Sequence, residues 1–189
     1  MSTVASDAPL VAEVHRPRRL VLDRSIAGCF SLAALLHVGF GARGLLVAAV
    51  VAILVELAAI DLERRILPNQ IVLPTLFAVL LAQLAIDPGS YLVYVLCAFG
   101  AGLTLLLPSL IRRGAVGMGD VKLAALLGAA LGKLVAAALT IAFFGAGAAA
   151  LLLLATKKRE ALKDEIPLGP FLAGGAIAAV LLSTPGVFG

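Results

Sequence analysis

The sequence carries very little charge. Only 14% of its 189 residues are charged, whereas 62% are hydrophobic, and the mean hydropathy is +1.11. A soluble domain has about 25% charged residues, so this composition excludes a soluble globular protein and indicates an integral membrane protein. The length accommodates roughly six to eight spans of about 20 residues each.

Cysteine and histidine are scarce as well. Cys29 and Cys97 lie inside apolar runs without CxxC spacing, which excludes a zinc ribbon or disulfide framework and favours free, buried thiols. His15 and His37 each stand alone, so no metal site is expected. Basic residues are scattered between apolar runs instead of forming one patch, so no nucleic-acid partner is expected.

The apolar runs predict an all-α bundle of about seven transmembrane helices behind a polar, cytoplasmic tail at residues 1–24. The predicted spans are 25–43, 44–60, 70–86, 91–111, 120–132, 134–155 and about 166–184. The second helix should continue past Asp61 until Pro68 ends it. The glycine-rich residues 114–119 predict a loop, and Gly128 and Gly132 have the spacing of closely packed helices.

Basic residues support this layout, because they accumulate in cytoplasmic loops. Alternating the spans from a cytoplasmic N-terminus places all but Arg43 and Lys133 inside. The inside residues are Arg16, Arg18, Arg19, Arg24, Arg64, Arg65, Arg112, Arg113, Lys122, Lys157, Lys158, Arg159 and Lys163. The same layout places Asp61 and Asp120 on the cytoplasmic side.

Two aspartates at one membrane face could form an aspartic protease site, with one carboxylate activating water while the other donates a proton. Structural alternatives exist for each of them. Asp61 could pair with Arg64 or Arg65, three and four residues along its helix, and Asp120 could be an N-cap. Glu56 lies about 140° around the helix from Asp61, and we expect it to serve helix packing rather than to line a cavity.

The motifs resemble those of the type IV prepilin peptidases. Asp61 is followed by Leu67-Pro68-Asn69, Gly117-Met118-Gly119-Asp120 matches the GxGD motif, and Pro167-Leu168-Gly169-Pro170-Phe171 is similar to the family's closing segment. The resemblance covers residues 44–185 and implies a six-helix peptidase core at 44–189, preceded by an extra helix at 25–43. Its supporting motif residues are Pro68, Asn69, Gly117, Gly119 and Lys122.

The resemblance implies a membrane-embedded aspartic endopeptidase of the bacterial inner membrane that uses Asp61 and Asp120. It would cleave the leader from prepilins or pseudopilins at the cytoplasmic border and would need no cofactor. The chain looks like the short branch serving tight-adherence (Flp-type) pili. Longer members carry a paired-cysteine segment associated with N-methylation, which has no counterpart here, so we do not expect methyltransferase activity.

Three points stay open at this stage. Lys122 could tune Asp120, steady an oxyanion or extend to the headgroups. A small transporter or channel subunit is the alternative function, with Asp61, Asp120 and Glu56 along an ion path, although most of these acids lie at membrane borders. A non-catalytic pilin-binding assembly factor is the third possibility.

Overall fold

A computed structural model describes residues 17–64, 67–111, 116–157 and 167–184. Within these ranges the protein consists of seven α-helices and two short 3-10 helices, Pro88–Ser90 and Gly132–Leu134. The α-helices are α1 (Pro17–Val38), α2 (Ala42–Arg64), α3 (Asn69–Ile86), α4 (Tyr91–Ile111), α5 (Met118–Leu131), α6 (Val135–Lys157) and α7 (Gly169–Leu182).

The helices have the length and composition of membrane spans. Four stretches are long and apolar enough to cross a bilayer, namely Ala42–Arg64, Asn69–Ile86, Pro88–Ile111 and Met118–Thr156, the last containing both α5 and α6. Ser25–Val38 and Gly169–Leu182 are shorter apolar helices. The predicted all-α, polytopic membrane bundle is therefore confirmed.

Two details of the first helix differ from expectation. Helix α1 begins at Pro17, inside the segment that was predicted to be a polar tail. Proline suits a first helical turn because that position needs no backbone donor, so the helix starts before the apolar run does. Cys29 is exposed on α1 rather than buried, while Cys97 on α4 is partly buried, and both thiols are free.

Helix α5 lies at the centre of the bundle. Eight of its residues are buried, and Leu123, Leu126 and Leu127 are almost completely inaccessible. A Cβ added to Gly128 would lie 2.3 Å from the carbonyl oxygen of Cys97, so only glycine allows α5 to approach α4 this closely. The close approach predicted from the Gly128 spacing is thus confirmed.

Short connections make neighbouring helices antiparallel and give the bundle two ends. At the Asp61 end, α2 finishes and α3, α5 and α7 begin. At the opposite, Asp87 end, Arg43 forms an ion pair with Asp87, whose Oδ1 also accepts a hydrogen bond from the Ser90 N–H at 3.2 Å. There His37 Nε2 also hydrogen-bonds the carbonyl oxygen of Ser183 at 2.8 Å, joining α1 to the segment after α7.

Candidate active site

Asp61 occupies the last turn of α2 and is 5% exposed. Its Oδ2 accepts a hydrogen bond of 3.0 Å from the backbone N–H of Gly169, 108 residues away at the start of α7. A Cβ at position 169 would lie 2.6 Å from this oxygen, well inside contact distance. Glycine is therefore the residue that lets the α7 backbone reach the carboxylate.

The simple ion-pair interpretation of Asp61 with Arg64 is wrong. Arg64 is exposed, and within the described residues the one ion pair of 4 Å or less joins Arg43 and Asp87. Arg65, the other suggested partner, lies outside the described residues. Asp61 is thus a buried carboxylate that hydrogen-bonds a backbone amide without a cationic partner among the residues described.

Asp120 lies in the first turn of α5. The helix is capped by Gly117 and begins at Met118, so Asp120 is its third residue rather than its N-cap. The backbone N–H of Asp120 donates to the carbonyl oxygen of Gly117 at 3.1 Å. The N-cap interpretation is wrong because the helix is capped three residues earlier, at Gly117.

Asp61 and Asp120 lie close enough for the charge of one carboxylate to act on the other. Asp61 is buried and Asp120 partly buried, so little water screens this repulsion. Two carboxyl groups in one site can act as acid and base when one is protonated and the other is ionised.

Two contacts join the Leu67-Pro68-Asn69 motif to the GxGD motif. Leu67 is buried and packs on Gly119, where a Cβ would lie 2.9 Å from the Leu67 Cβ. Lys122 Nζ donates a hydrogen bond to Asn69 Oδ1 at 2.9 Å. Lys122 therefore connects the N-terminal part of α5 to the start of α3, a role that none of the three sequence-based interpretations included.

The remaining motif residues shape the backbone. Pro68 precedes α3, and its carbonyl oxygen accepts hydrogen bonds from the N–H groups of Ile71 and Val72 at 3.0 and 3.2 Å. A Cβ on Gly117 would lie 3.2 Å from Asp120 Oδ2, so a side chain there would crowd the carboxylate. Residues 114 and 115, the first two of the predicted loop, lie outside the described residues, and its last two, Met118 and Gly119, belong to α5.

Sequence reasoning missed the role of Gly169 and misjudged Glu56. A usable signal for Gly169 is its position between Pro167 and Pro170, because a helix start with an uncrowded N–H is suited to binding an anion. Glu56 was expected to serve helix packing, but its side chain is exposed and lines a groove between α1 and α2.

The described residues contain no group of three or more His, Cys, Asp or Glu that could hold a metal ion.

Comparison with known proteins identifies the family of this chain. Residues 45–155 match the model of the type IV leader peptidase family. The chain is 35% identical over 153 residues to a Burkholderia pseudomallei protein named prepilin leader peptidase/N-methyltransferase, a match that covers 77% of this chain and 50% of the relative. A Bacillus subtilis protein of the same name is 32% identical over 160 residues, covering 82% of this chain and 63% of the relative.

The chain thus spans about half the length of the Burkholderia relatives that it matches. No solved structure matches it significantly. The family match includes both Asp61 and Asp120 and covers more than half of the chain. The chain therefore belongs to the type IV leader peptidase family.

Proposed function

We propose that this protein is a membrane-embedded aspartic endopeptidase that removes the leader peptide from prepilins or pseudopilins, with Asp61 and Asp120 as its catalytic pair. The observation that carries the proposal is the buried Asp61 carboxylate, which is hydrogen-bonded to Gly169 and lies near Asp120. A fold has little reason to keep two repelling carboxylates for stability alone. Family membership adds the class of reaction and the class of substrate.

The proposed reaction is hydrolysis by a water molecule held between the two carboxyl groups. The ionised carboxylate takes a proton from the water molecule while the water oxygen attacks the scissile carbonyl carbon. At the same time the protonated carboxyl gives its proton to the carbonyl oxygen. The tetrahedral intermediate then breaks down. The amine nitrogen takes a proton from the newly protonated carboxyl and leaves, and one hydroxyl group of the intermediate gives its proton to the other carboxylate. Gly169 holds Asp61 in position, and the buried surroundings limit access of bulk water.

The proposed substrate has a short basic leader followed by an apolar helix. Its helix would lie in the bilayer, and the cut would fall where the helix meets the cytoplasm, at the Asp61 end of the bundle. Thirteen of fifteen basic residues lie on this side when the spans alternate from a cytoplasmic N-terminus. The relatives' printed names support prepilins as the substrate class.

Cleavage of a co-expressed prepilin in membranes tests the activity. We expect the wild type to shorten the prepilin, and Asp61→Asn and Asp120→Asn to leave it uncut at equal protein levels. Asp87→Asn is the matched control, since it removes a carboxylate at the other end of the bundle and should cleave normally. A transporter would leave the prepilin uncut in every variant, and a non-catalytic pilin-binding factor would retain it on the protein without shortening it.

The new N-terminus of the product tests a second part of the proposal. The named relatives are described as N-methyltransferases as well as peptidases. We propose only the peptidase activity for this chain, so mass spectrometry of the mature pilin should show an unmodified terminal amine. A product carrying one methyl group in a host without another methyltransferase would contradict this.

The proposed orientation of the protein in the membrane can be tested at the two ends of α5. In a variant without native cysteines, Met118→Cys places a thiol at the start of α5, and Lys133→Cys places one just beyond its end; both positions are exposed. An impermeant reagent applied outside intact cells should label position 133 only. Labelling at position 118 instead would invert the topology and place the cut on the other side of the membrane.

A further inference from the structure

A membrane-facing groove lies beside the last turns of α2. It encloses about 580 Å³, its floor is formed by α2, and its sides are formed by α1 and the first turn of α3. Gly28 and Ser31 line the α1 side, and Ile71 lines the α3 side. No atom lies within 4 Å of a Cβ built at Gly28, so this wall leaves open space.

Glu56 is the one ionisable side chain that lines this groove. It has no hydrogen-bond or ion-pair partner within the described part of the chain. Ser31 Oγ is buried and equally without a partner among those residues. Polar groups at membrane depth are costly unless something pairs with them. A lipid acyl chain cannot supply a hydrogen bond, so an occupant suited to this groove is apolar with a polar side chain opposite Glu56.

The groove extends along α2 toward its Asp61 end. Leu57 and Ile60, which precede Asp61 by one turn and one residue, form part of its lining. Glu56 lies five residues before Asp61, which is about 7.5 Å deeper along the helix. A substrate helix entering the bilayer from the scissile bond descends at the same rise per residue. It would bring the side chain about five positions beyond the cut to the depth of Glu56.

We infer that this groove binds the apolar helix of the substrate and that the Glu56 carboxyl recognises a hydrogen-bonding side chain about five residues beyond the cleavage point. The inference rests on the proposed function and adds a specificity site to it. The occupant is a transmembrane helix with one polar side chain in its second turn. Glu56 acts on substrate binding, whereas Asp61 and Asp120 act on the bond.

The first test is a kinetic comparison of Glu56→Leu and Glu56→Gln. The amide still hydrogen-bonds, so Glu56→Gln should cleave with kinetics close to those of the wild type. Glu56→Leu leaves the substrate's polar group unpaired and should raise KM about tenfold with kcat nearly unchanged. A fall in kcat with unchanged KM, or equal kinetics in both variants, would overturn the role given to Glu56.

A second test fills the groove. Gly28→Leu inserts a side chain into it, while Gly174→Leu inserts the same side chain into a separate apolar groove between α1, α2 and α7. Both glycines have open space where the Cβ would lie, so both variants should fold. Gly28→Leu should raise KM, and Gly174→Leu should not. The reverse result would place the substrate helix in the other groove and overturn the inference.

Photo-cross-linking identifies the occupant directly. A photoreactive residue replacing Ala52, on the groove floor, is combined with Asp120→Asn so that the prepilin stays uncut. The expected result is a cross-link to the prepilin helix that an excess of unlabelled prepilin abolishes. Cross-links only to lipid or to a second copy of this chain would overturn the inference. If the wild type itself does not cleave, the proposed function fails instead, and the two failures are thus distinguishable.

Discussion

The two ends of the bundle treat their carboxylates in opposite ways. At one end, Asp87 accepts hydrogen bonds from Ser90 and pairs with Arg43, so its charge is neutralised. At the other end, Asp61 has a backbone amide as its donor and Asp120 as an acidic neighbour. The first arrangement stabilises a helix connection, whereas the second would supply the two acids of the proposed mechanism.

If the proposed function is right, this difference separates the part of the protein that provides stability from the part that provides chemistry. The Asp87 end fixes α2 to the α3–α4 turn by charge pairing and a hydrogen bond. At the Asp61 end, close backbone approach at glycines replaces charge pairing, because a cation beside the aspartates would hold both of them ionised. Gly119 and Gly169 allow that approach. The following predictions test this separation.

The largest expected effect concerns the aspartates themselves. Asp61→Asn and Asp120→Asn should each lower kcat/KM by about 10²- to 10⁴-fold, because each replaces one of the two carboxyl groups that transfer protons. Each also removes the repulsion between the carboxylates, while the amide oxygen that Asp61→Asn introduces can still accept the Gly169 hydrogen bond. The Tm in detergent should therefore be equal to or above that of the wild type. A large fall in Tm would mean that these acids are needed for folding.

The second prediction targets Gly169. The added methyl group of Gly169→Ala would lie 2.6 Å from Asp61 Oδ2, so α7 or the carboxylate must shift. A displacement of about 1 Å at a catalytic group can cost 10²-fold in rate, so we expect a loss of up to about that size in kcat. Gly174→Ala in the same helix is the control, because its Cβ meets open space. Equal activity in the two alanine variants would contradict a positioning role for Gly169.

A smaller effect is expected from the bond between Lys122 and Asn69. Lys122→Met and Asn69→Leu should each reduce kcat/KM about threefold to tenfold, because each breaks the same charge-assisted hydrogen bond. The double variant should then lose little more than either single variant, since coupled residues are non-additive. Fully additive losses would show that Lys122 acts on Asp120 or on substrate independently of Asn69.

Much of the fold could be predicted from the sequence because helix ends carry local signals. The Asp87-Pro88-Gly89 turn and Gly132 mark boundaries that the structure reproduces, whereas α2 continues past Asp61 but ends at Arg64, before Pro68. The boundaries that were missed also have local causes. Helix α1 starts at Pro17 and α5 starts at Met118, ahead of the residues where hydropathy or charge indicated a start.

The contacts of the site could be predicted less well because they join residues far apart in the chain. The Asp61–Gly169 bond spans 108 residues and the Lys122–Asn69 bond spans 53. Arg64 and Lys122 were considered as partners of the aspartates next to them in sequence, since helical spacing indicates only local neighbours. Packing between helices decided instead that Gly169 contacts Asp61 and that Asn69 contacts Lys122.

The smallest expected effect concerns Asp87, where pairing should appear as a pH-dependent stability. Hydrogen bonds from Ser90, with a further contribution from Arg43, hold the pKa of Asp87 below its usual value. A carboxylate with a lowered folded-state pKa contributes stability above its unfolded-state pKa of about 3.9, and this contribution is lost as the pH falls through the folded-state value. Asp87→Asn should therefore have a lower Tm than the wild type at pH 7, and the difference should shrink and vanish as the detergent-solubilised protein is acidified below pH ~4.

Glu63→Gln is the control, because Glu63 is exposed and the described residues provide it with no ion-pair partner. Added salt should reduce the part of the difference that comes from Arg43, since exposed charges are screened. A Tm difference that stays constant from neutral to acid pH would show that Asp87 stabilises the turn through its shape and not through its charge.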